Sequence, residues 1–154
     1  MKKKFLLLFI LIFSLTNCIN AQTGEQKKIE KTITLFFEGF HKRDSLKIKS
    51  VISENFTLQS AYKLNDTTSA LQSTNLNDFL YKVVNRNLNN KWEEKLLSFN
   101  INIDGTLANA WVKYEFWLND EFSHCSVNSF HLYLSDYGWK IIQLVDSRRK
   151  NNCN

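Results

Sequence analysis

Apolar and polar residues alternate with a period of two through most of the last third of the chain, from Trp92 to Lys150. Such alternation predicts β-strands that have one face towards a core and the other towards solvent. Three turn sequences divide this segment into four strands, which we expect to form an antiparallel sheet. These turns are Asp104-Gly105, Asn119-Asp120-Glu121 and Asp136-Tyr137-Gly138. The residues before this segment are then expected to cover one face of the sheet.

The first turn predicts how its two strands pair. A two-residue Asp-Gly hairpin places Ile103 opposite Thr106, and therefore Ile101 opposite Ala108. The apolar residues of both strands then lie on one face of the sheet. On the first strand this inward set begins at Leu97, so that the even-numbered residues alternating with it point outward.

The second turn sets the next register. A three-residue turn places Leu118 opposite Phe122 and Phe116 opposite His124. A two-residue turn would reverse the face of the strand 122–134, so the turn sequence leaves this register open.

The third turn brings Asp146 beside Asn128 and Ile142 beside Leu132. The predicted core face then has two ends of different character. Its apolar end comprises Ala108, Ala110, Phe130, Leu132, Ile142 and Leu144, and its polar end comprises Tyr114, Phe116, His124, Ser126, Asn128 and Asp146. Burying several polar groups costs free energy unless they find hydrogen-bond partners, which a ligand can supply. The polar end therefore predicts the mouth of a pocket.

Residues 25–40 carry their apolar side chains at the three- and four-residue spacing of a helix with one buried face. Basic residues at 41–43 suit the C-terminal end of the helix dipole, so we expect the helix to stop there. The buried stripe comprises Ile29, Ile33, Phe36, Phe37 and Phe40.

Two further helices are predicted before the sheet. Asp44 or Ser45 can cap a short one, and Thr74 or Asn75 can cap another over residues 76–87. The buried side of the first is expected to comprise Leu46, either Ser50 or Val51, and Ile52. That of the second is expected to comprise Phe79, Leu80, Val83 and Val84.

One strand and one loop complete the middle of the chain. Residues 56–62 alternate as a short strand. Residues 63–75 are rich in Asn, Thr and Ser, and we expect them to form a surface loop.

The first 21 residues predict a signal peptide. Lys2, Lys3 and Lys4 precede an apolar stretch that is too short to span a bilayer, and Ala21 is a small residue at the cleavage position. The competing interpretation is a lipoprotein acylated at Cys18, although the preceding residue is an Asn that fits the acylation motif poorly. Both interpretations predict a periplasmic or secreted protein. The first, which we favour, gives a signal peptide over 1–21 and a single domain over 22–154.

Most of the formal net charge of +5 belongs to the leader. Without its three lysines, 17 basic residues remain against 15 acidic ones. This balance gives no indication of nucleic acid binding or, after signal cleavage, of membrane binding. The sequence has no Gly-rich phosphate loop, and His41 and His131 have no second ligand at a useful spacing, so we expect no cofactor and no metal.

Cys125 and Cys153 remain after cleavage. An even pair in an oxidising compartment can form a disulfide, but the same residues can also stay free, because spacing alone does not fix the geometry of the bond. If the bond forms, it pins the C-terminal tail to the sheet.

Three motifs near the C-terminus carry a resemblance to a known family. They are His124-Cys-Ser-Val-Asn128-Ser-Phe130, Gly138-Trp-Lys-Ile141 and Asp146-Ser-Arg148-Arg149, followed by Cys153. With the order of the elements, they resemble an exported bacterial branch of the nuclear-transport-factor-2-like proteins. That branch is labelled lumazine-binding and lies near the SnoaL-like and ketosteroid-isomerase-like groups. Ser126 stands where its pattern has Gly, and Ser147 where it has Thr.

The resemblance implies a cone-shaped α+β fold in which N-terminal helices pack on a curved antiparallel sheet around a pocket. It covers roughly residues 25–150, with specific motifs only over 123–153. It also implies a homodimer through the outer face of the sheet. Trp111 and Trp117 lie on that face by parity, although a chain terminus could cover them instead.

His124 and Asp146 are the candidate acid–base pair. An imidazole near a carboxylate is a general base with a raised pKa, and the competing interpretation is a structural hydrogen bond that satisfies a half-buried His. Asn128 and Tyr114 could polarise a carbonyl group of the ligand or satisfy each other. Arg148 could bind an anionic edge of the ligand or pair with Asp146.

Two functions follow from these residues. The first is an exported, non-catalytic protein that binds a small, partly apolar molecule through Tyr114, Phe116, His124, Ser126, Asn128, Asp146 and Arg148. The alternative is an isomerase, cyclase or hydrolase of the SnoaL or ketosteroid-isomerase type that uses His124 and Asp146. An enzyme requires both titratable groups to face one cavity.

Overall fold

The computed structural model of the protein describes residues 23–151 and residue 153. The predicted signal peptide and the alternative acylation site at Cys18 lie outside the described residues. The described chain contains helix α1 (residues 23–42), α2 (Ser45–Val51) and α3 (Leu76–Asn85). Among these residues, no helix is both long and apolar enough to cross a membrane.

Helix α1 buries the stripe that its spacing predicted: Ile29, Ile33, Phe36, Phe37 and Phe40 are all buried. The helix ends as expected near residue 42, where Arg43 adopts a left-handed conformation with φ of 60°. The amide of Asp44 then donates to the carbonyl oxygen of Gly39 at 2.8 Å, which satisfies a free carbonyl group at the helix end.

Helix α2 starts from Asp44, whose carboxylate accepts from the amide of Lys47 at 2.9 Å. The predicted cap is confirmed, but the predicted buried side is wrong at Leu46, which is 77% exposed. Val51 and Ile52 are buried as predicted, and Ile48 faces the core in place of Leu46, because it lies three residues before Val51 on the same side of the helix.

Helix α3 begins after Asn75, whose side chain accepts from the amide of Asn77, as predicted. Leu80 and Val83 are buried and Phe79 packs against the core. The prediction that Val84 points inward is wrong, because the helix turns that position towards solvent.

The sheet has six strands in the order β2-β1-β6-β5-β4-β3. The strands are β1 (Ile52–Lys63), β2 (Ser69–Thr74), β3 (Trp92–Asp104), β4 (Leu107–Leu118), β5 (Glu121–Ser135) and β6 (Gly138–Ser147). The α+β prediction is confirmed, but the sheet is mixed rather than antiparallel, because β1 runs parallel to β6. The segment expected to be a loop over 63–75 contains β2, which pairs with β1.

The first hairpin differs from the prediction by two positions. Asp104 pairs with Leu107, so the turn residues are Gly105 and Thr106, and Ile101 faces Ala110 rather than Ala108. A shift of two keeps every side chain on its predicted face. Gly105 has a φ of 56°, a conformation that glycine adopts without strain.

A β-bulge at Leu97 reverses the faces of the first half of β3. Leu96 pairs with Tyr114 and Ser98 with Lys113, so that Leu97 has no partner and is 51% exposed. Leu96 packs against the core in its place. Because a bulge changes the parity of the strand, Glu94 also turns to the concave face.

The second hairpin combines a wrong turn length with a correct register. Leu118 pairs with Glu121 across a two-residue turn, in which Asn119 has a φ of 55° and the following Asp a φ of 65°. A bulge before His124 then restores the predicted pairing of Phe116 with His124.

The third hairpin places Asp146 opposite Asn128, as predicted. A bulge between His131 and Leu132 shifts the rest of the pairing by one residue. The core residue of this strand is therefore Ile141, which is fully buried, and the prediction of Ile142 is wrong.

A disulfide joins Cys125 of β5 to Cys153, with the two Cα atoms 5.6 Å apart. Arg149 also pairs with Cys125 through two backbone hydrogen bonds. Together these contacts hold the tail alongside β5.

Candidate functional site

A cavity of about 500 Å³ lies between helices α1 and α3 and the concave face of the sheet. Apolar rings form much of its wall: Phe36, Phe37, Phe40, Phe79, Trp92 and Phe116. Ionisable and amide side chains gather on the sheet side: Glu94, Tyr114, His124, Asn128, Asp146 and Arg148. The cavity thus combines an aromatic body with a polar end.

The structure brings six of the seven predicted ligand-binding residues to this cavity: Tyr114, Phe116, His124, Asn128, Asp146 and Arg148. The seventh, Ser126, is buried but does not line the cavity. Its hydroxyl group is hydrogen-bonded to that of Ser147, since the strand end brings these two side chains together.

Asp146 belongs to a closed set of polar contacts. It is 9% exposed, and Arg148 Nε donates to its Oδ2 at 2.8 Å. The hydroxyl of Ser60, from β1, donates to Oδ1 and accepts from Arg148 Nη2 at 3.1 Å. A buried carboxylate requires such partners, so this arrangement accounts for Asp146 without a ligand.

His124 is neutral at neutral pH. Its ring packs against Phe116, with ring centroids 5.0 Å apart, and its Nδ1 is hydrogen-bonded to the Ser123 hydroxyl at 3.1 Å. Burial lowers the pKa of this imidazole, and the positive charge of Arg148 lowers it further.

The roles of His124 and Asp146 as an acid–base pair stay a prediction, but one expectation about them fails. The expectation of a raised pKa for His124 is wrong, because burial outweighs the opposing charge of Asp146. Among the residues that the structure describes, no hydrogen bond joins the two side chains, since Asp146 is engaged by Ser60 and Arg148. Both residues nevertheless line the same cavity.

Glu94 is the site residue that sequence reasoning missed. Its Oε1 accepts from Asn128 Nδ2 at 2.5 Å, and its backbone amide donates to His41 Nε2 at 2.9 Å. Burial raises the pKa of this carboxyl to about 8, with a further contribution from the negative charge of Asp146. Glu94 is therefore mostly protonated at neutral pH.

One predicted possibility was that Asn128 and Tyr114 form a hydrogen bond with each other. They bond to other groups instead. Asn128 donates to Glu94, and the Tyr114 hydroxyl donates to the carbonyl oxygen of Ser147 at 2.7 Å. Burial raises the pKa of Tyr114, so its hydroxyl keeps its proton and the contact persists over the physiological range.

Arg86 supports the aromatic wall and was also missed. Its guanidinium donates to the carbonyl oxygens of Phe40 and His41, which caps the end of α1. The same group lies 4.9 Å from the centre of the Trp92 ring, a cation–π contact that holds this ring in the cavity wall. The basic residue just after α3 was the only sequence indication of this role.

The outer face of the sheet carries the two tryptophans predicted there. Trp111 is 51% exposed. Trp117 is partly covered, because Lys95 Nζ lies 3.8 Å from the centre of its ring and its Nε1 donates to Glu115. In the described part of the chain, no three His, Cys, Asp or Glu side chains are grouped to hold a metal ion.

Comparison with protein families and with curated proteins gives no match. Solved structures with the same architecture do match. An NTF2-like protein of unknown function from Shewanella baltica is 17% identical, with a TM-score of 0.59, over 80% of this chain and 92% of that one. The predicted nuclear-transport-factor-2-like fold is therefore confirmed.

Two further neighbours carry functional names. The beta subunit of a candidate aromatic-ring-hydroxylating dioxygenase from Novosphingobium aromaticivorans is 13% identical, over 84% of this chain and 92% of its own, with a TM-score of 0.65. A candidate dehydratase of the NTF2-like family from Streptomyces avermitilis is 12% identical, over 84% and 98%, with a TM-score of 0.62. At these identities the likeness shows the fold alone.

Proposed function

We propose that the protein binds a small, partly apolar molecule in the cavity and does not transform it. The observation that carries this proposal is the cavity itself, about 500 Å³ in volume, with aromatic walls and polar groups at one end. Sites for small molecules typically have roughly 300–1,000 Å³ and this same division between apolar lining and a few polar groups. The fold is also found in a protein named as a dioxygenase beta subunit and in one named as a dehydratase.

Native mass spectrometry of the protein purified from its own host tests this proposal. A retained small molecule is expected in the wild type and should be lost in Val83→Phe, because Val83 is buried and lines the cavity from α3. Val84→Phe is the matched control, since the neighbouring side chain points to solvent. Equal retention by both variants would show that the molecule binds elsewhere.

An acid–base enzyme is the second candidate, with Glu94 replacing Asp146 in the predicted pair. Glu94 has a pKa of about 8 and lines one cavity together with His124, which suits proton transfer near neutral pH. The test follows hydrogen–deuterium exchange at the methyl group of methyl naphthyl ketone by NMR. Exchange that the protein accelerates, and that Glu94→Gln abolishes, would favour the enzyme; exchange at the buffer rate favours the binding protein.

We also propose export, on the basis of the leader sequence. The mature protein is then expected to begin at Gln22 and to be recovered from the periplasm or the medium. Its intact mass decides between signal cleavage and acylation at Cys18, and a cytoplasmic protein that keeps Met1 would refute export.

A homodimer through the outer face is our final proposal. It is supported by the exposure of Trp111, an aromatic residue of the kind that is enriched at interfaces. Light scattering should give twice the monomer mass for the wild type and the monomer mass for Trp111→Ala. Tyr137→Ala, in an exposed turn, is the control and should stay dimeric. A monomeric wild type at high concentration would end this proposal.

A further inference from the structure

The start of helix α1 and two hairpin turns lie together at one end of the molecule, which we call the turn end. Near the β5–β6 turn, Trp139 Nε1 donates to Glu25 Oε2 at 2.9 Å. Near the β3–β4 turn, Gln26 Nε2 donates to the carbonyl oxygen of Ile101 at 3.2 Å. The first turns of α1 therefore pack on the end of the sheet that carries both hairpin turns.

Helix α1 runs along β3 to the opposite end, where the amide of Glu94 donates to His41 Nε2 at 2.9 Å. Residues 26–41 of the helix rise by about 22 Å, and residues 94–101 of the strand rise by about 23 Å. These lengths agree, so the helix follows the strand from one end of the molecule to the other. The residues that precede α1, 1–22, therefore join the fold at the turn end.

Four large apolar side chains are exposed at the turn end: Leu107, Tyr133, Leu134 and Tyr137. Leu107 pairs with Tyr133 across β4 and β5, so these two side chains adjoin on the outer face. Leu134 follows on the other face, and Tyr137, which is 92% exposed, lies in the β5–β6 turn. The amide of Leu134 donates to the carbonyl oxygen of Thr106 at 2.8 Å, which joins the two hairpin turns.

These four side chains are not explained by the cavity, since none of them is among the residues that line it. The opposite end differs, because Leu118 lines the cavity there and the ring of Phe122 packs against Trp117 with centroids 5.8 Å apart. Adjoining apolar groups that stay exposed on a folded domain mark a surface that contacts a partner.

We propose that the turn end is a membrane-contacting surface, and that its four apolar side chains enter the interface of a zwitterionic phospholipid bilayer. This inference goes beyond the proposed binding function and concerns a different part of the molecule. Tyrosine rings favour the membrane interface, where the apolar ring and the hydroxyl group each find a suitable environment. The charge balance of the chain gave no indication of membrane binding, and this contact depends on apolar area rather than on charge.

The residues that precede α1 select a bilayer as the partner. The proposed export passes this part of the chain through a membrane, and the turn end is the part of the fold that follows it directly. If Cys18 is acylated, the stretch from there to α1 spans at most about 18 Å, so the turn end must lie against the bilayer. If the leader is cleaved, the four side chains supply the contact by themselves, which makes it weak and reversible.

The charges of the two turns specify the kind of bilayer. Asp104 and Asp136 are exposed beside the apolar side chains, and Glu25 is paired with Lys28. Carboxylates repel anionic lipids, whereas they are compatible with the ammonium group of a zwitterionic lipid. We therefore expect binding that neither strengthens with anionic lipid nor weakens in salt.

Flotation with phosphatidylcholine vesicles tests this inference on residues 22–154, which contain every described element. The wild type should float with the vesicles at low and at high salt alike. Tyr137→Ser and Leu107→Ser should each lower the partition coefficient roughly tenfold, because each removes one large apolar side chain from the contact.

Two further variants separate membrane contact from effects on folding. Tyr137→Trp keeps an aromatic ring that favours the membrane interface, so its partition coefficient should equal or exceed that of the wild type. Leu88→Ser removes an exposed leucine at the opposite end, where the neighbouring Asn87 contacts Arg43, and should bind as the wild type does.

Three outcomes would overturn the inference, and all three leave the cavity and the Val83→Phe test unaffected. Wild-type protein that stays unbound in excess lipid would show that the turn end has no affinity for a bilayer. Equal losses in Leu88→Ser and Tyr137→Ser would place the contact elsewhere. A lower mass by light scattering for Tyr137→Ser than for the wild type, without lipid, would show that a second copy of the chain covers the four side chains.

Discussion

Loss of the Cys125–Cys153 disulfide should lower the stability of the protein substantially. The bond closes a loop with a sequence separation of 28. Loop-closure entropy predicts that such a cross-link destabilises the unfolded chain by about 3.5 kcal/mol. With an unfolding entropy of about 2.1 cal/mol/K per residue over roughly 130 residues, the melting temperature should fall by about 13 °C.

Cys153→Ser is the appropriate variant, because Cys125 is buried and a serine there would bury a hydroxyl group. Calorimetry should show the same decrease for the variant as for the wild type reduced with dithiothreitol. Asn151→Ser, an exposed change in the same tail, serves as the control.

Mass spectrometry of the alkylated protein must first show that the bond is present in the wild type. If it is present and Cys153→Ser melts within about 3 °C of the wild type, the reasoning is refuted. The two hydrogen bonds between Cys125 and Arg149 would then hold the tail without help from the disulfide.

Three further predictions follow from packing, titration and capping. Gly39→Ala should destabilise the protein by about 1–2 kcal/mol, as measured by urea denaturation. A Cβ at this position would lie 2.9 Å from the backbone oxygen of Asp44, and this clash outweighs the higher helix propensity of alanine. A stabilised variant would contradict this. The pKa of the Glu94 carboxyl is raised in the folded protein, so the wild type should lose stability as pH rises from about 4.5 to 8. Glu94→Gln lacks this carboxyl, so its free energy of unfolding should gain a few kcal/mol relative to that of the wild type over the same range. Parallel curves of stability against pH would contradict this. Arg86→Met should lower the free energy of unfolding by about 1–3 kcal/mol, because it removes two hydrogen bonds from a charged donor. The control Lys82→Met, an exposed change on α3, should have little effect. Equal losses in the two variants would argue that Arg86 does not stabilise the end of α1.

The helices could be predicted well from the sequence, since a stripe such as Ile29, Ile33 and Phe36 depends only on local spacing. The pairing of Phe116 with His124 is confirmed, but the turn sequence left it open, and with the two-residue turn it depends on the bulge before His124. The short polar strand β2 could not be predicted, because its residues carry no apolar alternation and it is held by pairing with β1.

The candidate site was predicted only in part because strand parity does not reveal bulges. Glu94 was missed since counting from Leu97 leaves it outside the inward set, whereas the bulge at that position turns it inward. The adjacent Leu96 and Leu97 were the one indication in the sequence, because two consecutive apolar residues are compatible with either parity. The pKa of His124 was assigned the wrong direction because burial depends on residues distant in sequence, which spacing does not show.

The position of β6 in the sheet has a consequence for how the protein folds. This last strand of the chain lies between β1 and β5, so before it inserts, the sheet consists of two separate pieces. Ser60 and Asp146, which contact each other at the polar end of the cavity, are 86 residues apart. Contacts of such long range form slowly. The cavity therefore cannot exist on a partly synthesised chain, and a bound ligand would report that the whole domain has folded.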